Sequence, residues 1–204
     1  YVSGASNQTR GIVAGGRNPN ETDRIDYVTI ASTGNAKDFG NLTVSKSNTS
    51  GTASPTRALF AGGADWPATQ MKSTDYLTIA TTGNALDFGD LTAAGVLGST
   101  GSSSSTRGVY SGSGVAPYKH VEYFIFTTLG NAIKFGDLTN TMGWAMGTGD
   151  RVRGVWGGGQ SPTSTNIIEY ISMQTEGNGV DFGDLTTGGH LAGGACSNGH
   201  GGLG

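Results

Sequence analysis

The chain has 204 residues, of which 37 are Gly and 5 are Pro, with 35% hydrophobic and 13% charged residues and a formal net charge of −3. Gly far above its usual share, without a Gly-X-Y period or abundant Pro, excludes collagen; three Trp, seven Tyr and seven Phe among short β-branched runs exclude a disordered chain. Twelve scattered Lys and Arg give no basic footprint for nucleic acid, and no apolar run approaches the roughly 20 residues of a membrane-spanning helix.

In chain order, residues 1–8 match the last strand of a preceding unit; since the first unit already has its own Arg-led strand and leaves the C-terminal strand without a place, further units before Tyr1 are expected, a compact four- or five-bladed ring closed by the two ends being the alternative. Then comes an Arg-led apolar phrase, Thr9-Arg10-Gly11-Ile12-Val13-Ala14-Gly15-Gly16, which reads as a strand stopped by Gly-Gly. After a variable connection, Asp26-Tyr27-Val28-Thr29-Ile30 alternates with the period of 2 expected for a strand with one apolar face. Its Val28 and Ile30, with Leu77 and Ile79, Phe124 and Phe126, and Ile171 and Met173 in the later copies, are assigned to core. Thr33-Gly34-Asn35 reads as a hairpin signal, because Gly and Asn tolerate positive φ. A third strand follows in Asp38-Phe39-Gly40-Asn41-Leu42-Thr43, and a fourth in the Gly-, Ser- and Ala-rich stretch leading to the next Arg.

The whole pattern recurs. The Phe residues of the third phrase, Phe39, Phe88, Phe135 and Phe182, lie 49, 47 and 47 positions apart. Self-similarity at this period, with four short strands and no helix per unit, is the mark of a β-propeller built from four-stranded antiparallel blades of about 48 residues. The expected organisation is one domain over 1–204, with repeats at about 9–55, 56–105, 106–151 and 152–199 and a closing strand at 200–204. In this arrangement Gly11, Ala14, Gly154 and Gly157 serve the crowded strands near the axis.

The Arg-led phrase ending in Gly-Gly, the acid-Tyr pair within an apolar strand and the later aromatic together resemble the kelch repeat of β-propellers, across nearly the whole chain. Two features depart from the usual kelch wording: the acid precedes Tyr, and Phe stands where Trp is usual. The wording Asp26-Tyr27-Val28-Thr29-Ile30-Ala31-Ser32-Thr33-Gly34-Asn35-Ala36 through Leu42-Thr43 is similar to kelch-like arrays in virion structural and tail-fibre proteins of tailed phages, especially those of marine cyanobacteria. The ending Cys196-Ser197-Asn198-Gly199-His200-Gly201-Gly202-Leu203 is similar to the terminus of such proteins. The resemblance implies a non-enzymatic virion structural or adhesion protein on the particle exterior. Its partners would be other virion proteins or a host-surface glycan or protein, and it could form a homo-oligomer. A secreted or cell-surface bacterial lectin-like propeller is the alternative.

Arg10, Arg57, Arg107 and Arg153 recur in step with Asp26, Asp75, Glu122 and Glu169, and are expected to form one partly buried structural ion pair per blade. The Asp-Phe-Gly-Asp phrase is not assigned to calcium, because Lys134 replaces a ligand carboxylate in one copy. His120, His190 and His200 with the lone Cys196 give no zinc spacing, and no nucleophile elbow places a Ser. No catalytic residue, metal or cofactor is therefore expected. The connections between first and second strands differ in every unit, which points to recognition on one loop face. Trp66, Tyr118 and His120 are the candidates there for aromatic contact, with Arg17, Asn18, Asn20 and Gln160 for polar contact, while Trp144 and Trp156 are assigned to packing.

Overall fold

The computed structural model describes residues 2–65, 69–92, 100–111, 119–160, 163–188 and 193–196. Short β-branched and aromatic runs broken by Gly and Ser leave no segment with helical periodicity, and the described residues form strands, turns and connections without a helix. The first sheet comprises β1 (Ser3–Ser6), β2 (Arg10–Ala14), β3 (Arg24–Thr29) and β4 (Lys37–Asn41). The second comprises β5 (Ser50–Ala53), β6 (Arg57–Ala61), β9 (Ser73–Thr78) and β10 (Leu86–Asp90), with a small ribbon of β7 (Ala64–Asp65) and β8 (Thr69–Gln70) in its connection. The third holds β11 (Thr100–Ser103), β12 (Arg107–Ser111), β13 (His120–Ile125) and β14 (Ile133–Asp137). The fourth holds β15 (Met146–Gly149), β16 (Arg153–Gly157), β17 (Ile167–Ser172) and β18 (Val180–Asp184). All four are antiparallel, and their strands lie in sequence order.

The strand pairing moves the unit boundary. The Gly- and Ser-rich stretch is the first strand of the sheet that follows it, not the fourth of the unit before. Gly51 sits opposite Phe60, and Gly4 opposite Val13. Residues 3–6 accordingly belong to the first complete sheet rather than to a preceding unit. The expected closing strand at 200–204 lies outside the described residues.

Consecutive sheets bury their faces against one another in three separate cores. Ile12, Ile25, Phe39 and Leu42 of the first sheet meet Phe60, Leu77 and Ile79 of the second. Leu59, Phe88 and Leu91 of the second meet Tyr110, Phe124 and Phe126 of the third. Val109, Tyr123, Phe135 and Leu138 of the third meet Trp156, Ile171 and Met173 of the fourth. The apolar face assigned to core is therefore covered in three copies, by the sheet before. In the first copy Val28 is 42% and Ile30 54% exposed, a correction to the expectation that every copy buries this face.

One joint recurs between these sheets. The loop after the Tyr strand docks on the outer strand of the preceding sheet. Gly83 N–H donates to Phe39 O, Ala85 N–H to Asn41 O, and Asn84 Oδ1 accepts from Asn41 N–H. Residues 130–132 repeat this on Phe88 and Asp90, and residues 177–179 on Phe135 and Asp137. The Gly-Asn signal thus marks an inter-sheet latch as well as the link between two paired strands. At each outer strand the ladder slips by one residue beside the Phe, a β-bulge that turns the strand edge toward the incoming loop.

Candidate functional site

Strand alternation decides where the recurring Arg and acid go. In β3, Tyr27 lies opposite Ile12 and Asp26 opposite Val13, so the two side chains occupy opposite faces; Arg10, opposite Thr29, shares the face of Tyr27. The expected pairs of Arg10, Arg57, Arg107 and Arg153 with Asp26, Asp75, Glu122 and Glu169 do not form among the described residues. Each Arg instead lies over the ring of Tyr27, Tyr76, Tyr123 or Tyr170, 4.7–5.1 Å from its centroid. Three of them also reach the next sheet: Arg10 donates to Ile79 O at 2.6 Å, Arg57 to Phe126 O at 2.6 Å and Arg107 to Met173 O at 3.3 Å.

The acids turn to the preceding sheet. Thr43 donates its hydroxyl to Asp75, Thr92 donates N–H and O–H to Glu122 at 2.7 Å each, and Thr139 donates both to Glu169 at 2.8 and 2.6 Å. Asp26 meets no preceding sheet among the described residues and pairs at the surface with Arg24, 2.9 Å away. Asp75 additionally meets Lys46 at 3.1 Å, both side chains being fully buried. Burial pushes the Lys46 ammonium below its ordinary value, and the Asp75 carboxylate pulls it partly back. These groups are framework. Among the described residues no three His, Cys, Asp or Glu gather to hold a metal ion.

The loop candidates divide. Trp66 and Tyr118 lie outside the described residues. His120 opens β13 rather than capping a loop, and its Nε2 is 2.8 Å from Thr92 Oγ1, within the joint between second and third sheets. Arg17 pairs with Glu21 at 3.5 Å across a short bridged loop whose exposed tip carries Asn18 and Asn20. Exposed Gln160 donates its N–H to Gly143 O at 2.6 Å.

The inner strands β1, β5, β11 and β15 neighbour one another in that order and together line one depression of about 260 Å³. Their spacing depends on missing side chains: a Cβ on Gly51 would fall onto Gly4 O, and one on Gly147 would crowd Thr100. The glycines that line this depression are Gly4, Gly51, Gly101, Gly147 and Gly149; Gly11, Ala14, Gly154 and Gly157, expected on the innermost strands, lie on second strands.

At one end the depression opens into a cleft of about 550 Å³ whose walls include Val2, Asn48, Thr49, Ser50, Thr100 and Trp144. In the first, second and fourth sheets the connections between second and third strands root at this end. Gly16 N–H bonds Lys46 O, Gly63 packs on Ser47 and Thr49, and Gly159 on Gly143 and Ala145. Asn48 and Trp144 have φ of 56° and 60°, left-handed values that side chains other than Gly and Asn adopt at a cost. Both precede their inner strand by two residues, and Gly98 takes that place in the third unit. Sequence reasoning assigned Trp144 to packing. Aligning Asn48, Gly98 and Trp144 as one repeat position was the available signal, since the first two tolerate positive φ and the third does not. Trp156, by contrast, is fully buried, as expected of a packing residue.

No protein-family model matches the chain, and no curated protein matches it at a significant level.

Proposed function

We propose that the four sheets are blades of a kelch-like β-propeller. In this reading the chain is a non-enzymatic component of the exterior of a tailed-phage particle, a tail fibre or surface decoration. Its work is rigid display: repeated cores and joints fix the blades, and the end of the axis bearing the variable connections faces a host-surface molecule or a neighbouring virion protein. The observation that carries the display reading is the contrast between three near-identical inter-sheet joints and connections that differ in sequence in every unit and, in the first, second and fourth sheets, root at one mouth. The viral assignment rests on the resemblance of the repeated wording to phage arrays.

A lectin-like propeller of a bacterial surface is the second reading, favoured by the half-buried Trp144 in the axial cleft. Immunogold electron microscopy, with antibody against this chain on the virus and cell fractions of the sample that encodes it, separates the two. Label on particle exteriors is the expected result; label confined to cell surfaces replaces the virion reading with the second one.

A further inference from the structure

The strongest unexplained feature is Trp144. An aromatic residue in left-handed backbone is rare and costs conformational energy, and such strain persists where the surroundings hold it for a use. Here the surroundings do hold it. Gln160 N–H grips Gly143 O on one side, and Gly159 packs against Ala145 on the other, so the root of a variable connection fixes the tryptophan's backbone. The side chain is not consumed by the core, being only half-buried and part of the cleft wall.

The rest of the wall narrows the chemistry. Asn48, at the equivalent left-handed position two units earlier, brings an amide with donors and an acceptor. Thr49, Ser50 and Thr100 complete a wall of small polar residues. None of the described wall residues is ionisable, so the cleft offers no counter-charge to an anion or a cation. Its volume lies within the range of small-ligand sites.

We propose that this axial cleft binds a neutral saccharide. The apolar face of one sugar ring stacks on the Trp144 indole, and the ring hydroxyls meet the Asn48 amide. The inference deepens the display reading and rests on it for the biological target, while moving the contact from the loop tips to the axis.

The test uses an array of neutral and acidic glycans, followed by calorimetric titration of the best neutral hit into wild type, Trp144→Gly, Asn48→Gly and the pair Trp66→Ala/Tyr118→Ala. Gly accepts the left-handed backbone, so Trp144→Gly removes the ring without imposing new strain, and its melting temperature monitors the fold. Selective binding of neutral glycans, weakened at least about thirtyfold by Trp144→Gly as for a central aromatic contact and unchanged in the loop pair, is the expected result. Binding that survives Trp144→Gly and disappears in the loop pair overturns the axial site and leaves the display reading intact. Preference for acidic glycans overturns the neutral-ligand assignment. Capture of virion proteins or cells with no glycan bound overturns the saccharide alone, whereas failure to bind any of the three overturns both readings.

Discussion

Three of the four Arg residues of the repeat, Arg10, Arg57 and Arg107, serve two sheets at once. Arg57 lies over Tyr76 in its own sheet and donates to Phe126 O in the next, so Arg57→Met removes a cation–π contact and a charge-assisted hydrogen bond, a loss of about 2 kcal/mol. Arg153 lies over Tyr170 and makes no hydrogen bond to a further sheet among the described residues, so Arg153→Met costs less; thermal melts of the two variants check the order. That Tyr27 and Asp26 face opposite ways was legible in the chain from strand alternation, whereas which of them shares the face of Arg10 is set by the register of Arg10 opposite Thr29. What strand alternation could not supply was the partner from another sheet, which depends on three-dimensional placement. Lys46 and Asp75 make a second case. Lys46→Met leaves a buried carboxylate unpaired and costs about 3–5 kcal/mol, whereas Lys46→Met/Asp75→Leu restores stability to near or above wild type. Burial lowers the folded-state value of Lys46, so between that value and 10.5 the unfolded chain carries a proton that the folded protein lacks. Wild type therefore gains stability relative to the double variant as pH rises through that interval, a trend readable by denaturant melts at several pH values.

At the scale of elements, the outer strand and the Gly-Asn loop form the unit of assembly. Strand number, order of phrases and antiparallel pairing were legible from the period-2 runs and Gly-Gly stops. The docking of residues 83–85 on the strand of Phe39 was not, because a Gly-Asn pair has the same local signature in a hairpin and in a latch. Gly89 and Gly183 separate local strain from assembly. Both have left-handed φ, 142° and 138°, but a Cβ on Gly89 would strike the backbone of Gly130 while one on Gly183 meets nothing. Gly183→Ala thus reports backbone strain of about 1–2 kcal/mol, and Gly89→Ala reports that plus a broken joint. Chemical denaturation of both should find Gly89→Ala clearly the less stable; equal losses would mean that the joint contributes nothing.

At the scale of the whole molecule, three cores lie between four sheets, and the two outermost faces repeat the same chemistry uncovered. Phe182 is 53% exposed where Phe39, Phe88 and Phe135 are nearly buried, and Val13, Val28 and Ile30 are exposed where their counterparts in later sheets are buried. The repeat made the four units and their common architecture legible. It could not show the phase of the sheets, since a periodic string can be cut at any point, nor the axial cleft, which four different units build together. The account stands on the inter-sheet joint, and amide hydrogen exchange followed by NMR tests it most directly. The amides of Gly83, Ala85, Gly130, Ala132, Gly177 and Gly179 should exchange slowly, being bonded to the preceding sheet, while those of Gly34 and Ala36, in the same local sequence but without such a bond among the described residues, should exchange as a free loop does. Fast exchange at all four loops alike would contradict it.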